Sequence, residues 1–102
     1  MYPYYSAPEY LKHLYTLDDP NASYSFDTVI VVQDTRDGLV YAAHDAGCSC
    51  PSPFESHTFP TDFAQVNTTG DLLDYIRGQS VKYNSKDVDE ALVAAARAFL
   101  EQ

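Results

Sequence analysis

Positive charge is what this chain has least of. Six Lys and Arg stand against fifteen Asp and Glu, a formal charge of −9. Nucleic-acid binding through phosphates needs a basic face, as does docking on an anionic membrane, so the balance argues against both. Tryptophan is absent and there are only two cysteines. No run approaches the roughly 18 apolar residues of a membrane span. The opening Met1-Tyr2-Pro3-Tyr4-Tyr5 lacks the basic residues and apolar stretch of a secretory signal. The expectation is therefore a cytoplasmic, reducing setting in which Cys48 and Cys50 stay thiols, since a disulfide between them would close a small, strained ring. Glycine-rich phosphate loops, serine-nucleophile elbows and dinucleotide fingerprints are missing too, as are internal repeats, linkers and low-complexity blocks.

What is present is a folding chain. At 102 residues, 45% of them hydrophobic and 14% aromatic, it is one domain able to bury a modest core. Nine tyrosines and five phenylalanines dominate the aromatics. Tyrosine has an apolar body and a polar tip, so a Tyr-rich domain covers its core while offering hydrogen-bonding surface to a partner.

Strand signals fill the first half and helix signals the second, which predicts an α+β fold: a small antiparallel meander of about three strands, a Cys/Pro-rich loop, and two C-terminal helices packed on the sheet. Residues 10–46 read as strand-rich, 47–60 as the loop and 68–102 as helical. In the clearest strand, residues 23–34, Tyr24, Phe26, Thr28, Ile30 and Val32 fall on one face and Val29 and Val31 on the other, the pattern of a strand buried on both sides. Asp37-Gly38 supplies a hairpin turn with Gly38 at positive φ, and residues 39–44 return as the partner. Residues 8–17 fit helical spacing behind Pro8-Glu9 or a strand face of Leu11, His13, Tyr15 and Leu17; the following Asp18-Asp19-Pro20-Asn21 turn favours the strand. Residues 57–67 are irregular, with one turn near Thr61 to Ala64. Thr68 or Thr69 caps a helix ending at Arg77 with Gly78 as its stop, and Ser85 caps the last helix. Val88, Leu92, Ala95 and Phe99 form that helix's predicted stripe, and Ala91, Ala94 and Ala98 permit close packing.

Chemistry concentrates in the loop. His44, Cys48, Cys50 and His57 match tetrahedral zinc in type and number, but Cys-x-Cys spacing sends alternate side chains apart unless Gly47 and Pro51 bend the chain. The competing reading is two structural thiols packed under a rigid loop whose exit Phe54 anchors in the core. Thiol catalysis would use His44 or His57 as base and Asp45 to orient it, and Asp45 with Glu55 is a weaker acid/base pair. Either Pro51 or Pro53 can adopt the cis form, which the sequence leaves open.

Three stretches carry a resemblance: Ser23-Tyr24-Ser25-Phe26-Asp27 leading into an apolar strand, Asp37-Gly38-Leu39-Val40-Tyr41, and Asp45-Ala46-Gly47-Cys48-Ser49-Cys50-Pro51-Ser52-Pro53-Phe54-Glu55. Over residues 10–60 the chain resembles a family of small uncharacterised proteins of actinobacteriophages and their actinobacterial hosts. The resemblance implies a phage or prophage product in a bacterial cytoplasm, and carries no catalytic or metal-binding residue across. The leading expectation is a non-enzymatic acidic protein, without cofactor, that binds a host or phage protein with a basic surface, with homodimerisation as a further option. Its partner-binding candidates are Tyr2, Tyr4, Tyr5, Glu9 and Tyr10, an aromatic and acidic strip. The alternatives are a zinc- or thiol-dependent protein centred on residues 44–57 and, more weakly, a nucleic-acid mimic.

Overall fold

The protein is described from a computed structural model covering residues 4, 6–21, 25–48 and 53–102. Its elements run β1 (Leu11–Asp18), β2 (Ser25–Asp34), β3 (Val40–Cys48), β4 (Ala64–Val66), α1 (Thr69–Arg77) and α2 (Ser85–Leu100). The strands form one antiparallel sheet in the order β1-β2-β3-β4. The α+β class and the packing of the C-terminal helix on the sheet match the sequence reading. Ser23 and Tyr24 lie outside the described residues.

The meander has a fourth strand. β4 is three residues long and pairs Val66 with Val40 and Ala64 with Ala42, inside the span read as irregular. Ala-Gln-Val is too short to show a period of its own. It becomes a strand because β3 offers an open edge and Val66 can bury its side chain in the core.

β2 is buried on both faces, as its β-branched run requires. Val29 and Val31 join Leu17, Val40, Ala42, Val66, Leu72, Ile76 and the alanines of α2. Ile30 and Val32 join Tyr4, Leu11, Ala43 and Phe54 on the opposite side. β1 does not keep a single face. Its register with β2 shifts between His13 and Tyr15, and the extra residue reverses the alternation. Leu11 therefore packs with the second cluster and Leu17 with the first, while Leu14 and Tyr15 both lean on the first. The continuous face of Leu11, His13, Tyr15 and Leu17 is corrected accordingly.

The β2–β3 turn locks through short bonds. Gly38 N–H donates to the Asp34 carbonyl (2.7 Å), Asp34 N–H to the Leu39 carbonyl (2.9 Å), and Leu39 N–H to Asp37 Oδ1 (2.9 Å). Gly38 has φ +81°, and a Cβ there would sit 3.2 Å from Gln102 Cγ. Asp34, buried at the turn, takes Nε and Nη2 of Arg36 on its carboxylate. Arg36 in turn lies over the Tyr10 ring, 3.6 Å from its centroid.

Thr68 caps α1, accepting from Asp71 N–H (3.1 Å), and Gly78 ends it. α2 is capped by Asn84, whose Oδ1 accepts from Lys86 N–H (2.9 Å), so Ser85 is the first helical residue and not the cap. Both are good capping types; Asn84 wins because its extended backbone aims its carbonyl oxygen at the free amides. The fully buried stripe of α2 is Ala91, Ala95 and Ala98, with Val88, Leu92 and Phe99 half-buried on its flanks. Small side chains bring the helix axis close to the sheet, and the larger ones fill the wedges on either side. Among the described residues no helix is long and apolar enough to cross a membrane.

Candidate functional site

The end of the sheet where β2 and β3 start and finish carries a polar cluster under the helices. Asp27 on β2 and His44 on β3 share the face of Val29 and Ala42. Tyr83, in the connection between α1 and α2, donates its hydroxyl to Asp27 Oδ1 (2.7 Å). His44 Nε2 meets the same oxygen at 2.7 Å. An ionised carboxylate only accepts, so His44 carries its proton on Nε2. Burial, followed by the bond to Asp27, raises the Tyr83 hydroxyl pKa above its ordinary value. This cluster ties the interhelical connection to the sheet. The sequence reading named His44 but missed Asp27 and Tyr83. The available signal was a charged residue inside a strand buried on both sides, which demands a partner.

On the other face, Asp45 holds the loop. Its Oδ2 accepts from Phe54 N–H (2.8 Å) and its Oδ1 from Ala46 N–H (2.9 Å). Phe54 is fully buried with φ +62°, an unusual conformation for a residue with a Cβ. The Asp45 bond and the donation from His57 N–H to the Phe54 carbonyl (3.1 Å) hold it there. His57 Nε2 donates to the His44 carbonyl (3.1 Å) and its ring packs edge-on to Phe54. The anchoring role expected of Phe54 is thus seen directly.

Gly47 lies within β3 opposite Phe26, and a Cβ on it would stand 3.4 Å from that ring. Its smallness makes room for Phe26, whereas the sequence reading gave it the bend of the loop. Asp45, Glu55 and His57 line one hollow of about 140 Å³ with Phe26, below the several hundred Å³ usual for a small-molecule pocket.

Of the four zinc candidates, His44 and His57 are brought close, but each Nε2 is engaged elsewhere, on Asp27 and on a backbone carbonyl. Cys50 and the side chain of Cys48 lie outside the described residues, as do the peptide bonds preceding Pro51 and Pro53. A cis peptide is present at Phe59–Pro60. Among the described residues no group of three or more His, Cys, Asp or Glu is placed to hold a metal ion.

The tyrosine strip divides. Tyr4 is 4% exposed, its hydroxyl donating to the His57 carbonyl (2.8 Å) and its ring packing on Phe54 and Phe63. Burial raises its hydroxyl pKa, with Asp62 adding to the effect. Tyr10 is half-buried between Arg36 and Phe59, and Glu9 is exposed. Tyr2 and Tyr5 lie outside the described residues. Phe59 stacks edge-on against Tyr41, Tyr10 and Phe63, extending a lid of rings across the sheet.

No curated protein and no solved structure matches this chain. A family model described as a domain of unknown function, DUF7574, matches residues 3–101. The match spans the sheet, the loop and both helices, so the chain belongs to the DUF7574 family.

Proposed function

We propose that this protein is a non-enzymatic interaction module of phage type, acting in a bacterial cytoplasm, that binds a host or phage protein bearing a basic surface. The aromatic lid is the observation that carries this reading. Tyr10, Tyr41, Phe59 and Phe63 are half-buried there, while Glu9 and Asp62 stand exposed nearby. Rigid aromatics cost little conformational entropy on binding and supply much of the energy of protein interfaces. Exposed carboxylates beside them steer a basic partner and suppress wrong ones. The chemistry-bearing groups support the same reading: Asp27, His44, Asp45 and His57 are each engaged in holding the fold.

The test is affinity purification of the tagged protein from a bacterial host extract, at low and high salt, with wild type beside Glu9→Lys and Tyr10→Ala. Capture of a defined basic protein that is lost on raising the salt and in Glu9→Lys supports the proposal. Capture indifferent to both substitutions, with each variant folded by circular dichroism, places the interface elsewhere and overturns the assignment of the lid.

A further inference from the structure

Among the described residues two large aliphatic side chains are exposed, Val93 (51%) and Leu100 (87%). They lie seven residues apart on α2, on one stripe that also holds Lys86, seven residues before Val93. The buried alanines face the other way, toward the sheet. Flanking the stripe are Glu90 and Arg97, again seven apart, so the two occupy the same side of it. Arg97 has no ion-pair partner among the described residues of its own chain.

We propose that this face of α2 docks on the same face of a second copy of the chain, the two helices antiparallel about a two-fold axis at Val93. A two-fold perpendicular to the helices sends each residue to the opposite axial height while keeping its lateral side. Val93 then meets its own copy at the centre. Arg97, about 6 Å along the axis from Val93, comes level with Glu90 of the second copy on the same flank. Lys86, about 10.5 Å to the other side, lies across Leu100 of the second copy, its stem covering the aliphatic group and its ammonium reaching Glu101. Each opposite-charge pair occurs twice, and the pattern is self-complementary only in the antiparallel sense. A parallel pairing would bring Arg97 level with Arg97 and Glu90 level with Glu90, on opposite flanks, and give neither an opposite charge.

Glu90 is prepared for this role. Its Oε2 accepts the Tyr15 hydroxyl at 2.7 Å, which fixes the carboxylate and leaves Oε1 for a guanidinium. Asp87 Oδ1 stands 3.1 Å from the same hydroxyl. One O–H cannot serve both carboxylates fully, so a cation arriving here relieves their repulsion. Two helix faces of sixteen residues bury less than the roughly 1,200 Å² of a standard stable interface. The dimer is therefore weak, reversible and sensitive to salt.

Sedimentation velocity of the full chain over a concentration series at low salt tests the proposal. Wild type should pass from monomer to dimer as concentration rises and revert when salt is added. Arg97→Glu and Glu90→Arg should each weaken the dimer by about tenfold or more, by setting like charges opposite one another. The double variant E90R/R97E exchanges the signs and should return to within about threefold of wild type, which a purely structural role for either residue would not produce. Val93→Asp should abolish association with no rescue. Thermal melts of the exposed-site variants within a few degrees of wild type show that folding is not the cause. A chain that stays monomeric throughout, a dimer indifferent to R97E, or a double variant as weak as the singles overturns the proposal.

Discussion

The two faces of the sheet are covered in different ways. One carries two regular helices, α2 burying a stripe of alanines and α1 burying Leu72 and Ile76, on a floor of valine and leucine. The other has no helix among the described residues: Tyr4, Tyr10, Phe54, Phe59 and Phe63 arrive on irregular chain and fill the space with rings at tilted and edge-on angles. A helix satisfies its own backbone, so it can afford small side chains and approach closely. Irregular chain has no such self-sufficiency and needs much apolar area per ordered residue, which aromatic rings supply. Its backbone must also find partners one at a time, hence the bonds of Asp45, His57 and Asp62 to nearby amides and carbonyls.

This contrast predicts opposite sensitivities. The largest effect should come from Phe54→Ala, which empties the centre of the aromatic side and is expected to cost about 3–5 kcal/mol; chemical denaturation measures it. A loss below about 1 kcal/mol would mean the lid packs loosely and can collapse into the space. The helix side should instead resist enlargement. Ala95→Leu is expected to cost about 1–3 kcal/mol by pushing α2 off the sheet, and a neutral result would show that α2 is free to move outward.

The turn joining the central strands meets each cover at its margin, through Arg36 on Tyr10 and Gly38 beside Gln102, so backbone shape dominates its response. Gly38→Val places a branched side chain at φ +81° and against Gln102, for an expected cost of about 1–2 kcal/mol. An unchanged melting temperature would refute the turn geometry. The smallest effect should be that of Asp34→Asn, which removes the carboxylate gripping Arg36. The hydrogen bond from Arg36 holds the Asp34 carboxyl below its usual value of 3.8. A lowered carboxyl pKa stabilises the fold above the unfolded value and ceases to do so as pH falls through the folded one. The variant should therefore melt earlier than wild type near neutrality, and the gap should close as the pH drops below about 4. A gap that persists or widens in acid would assign the loss to something other than the ion pair.

Local signals carried much of the reading. The two-sided burial of β2 followed from its β-branched run, the hairpin from Asp37-Gly38, and α1 from Thr68 at one end and Gly78 at the other. Phe54 was legible as an anchor because prolines and a lone large ring in a polar loop leave it little else to do. The choice between Asn84 and Ser85 was not legible, since both residues suit a cap and only backbone direction separates them. At the candidate site, His44, Asp45 and His57 stood out by type, but their partners lay tens of residues away: Tyr83 is 56 positions from Asp27, and Tyr4 is 53 from His57.

The sequence by itself determined the longer central strands, the two helices, the hairpin turn and the burial of the central strand on both sides, because periodicity, β-branching and turn chemistry act within a few residues. Only the tertiary structure decided the rest. An insertion at Leu14 reversed the faces of β1, a three-residue edge became a strand because β3 had an unpaired side, and Tyr4 left the surface because Phe54 and Phe63 made a place for it. Each outcome depends on the free energy of a contact between groups far apart in the chain, which no local pattern encodes.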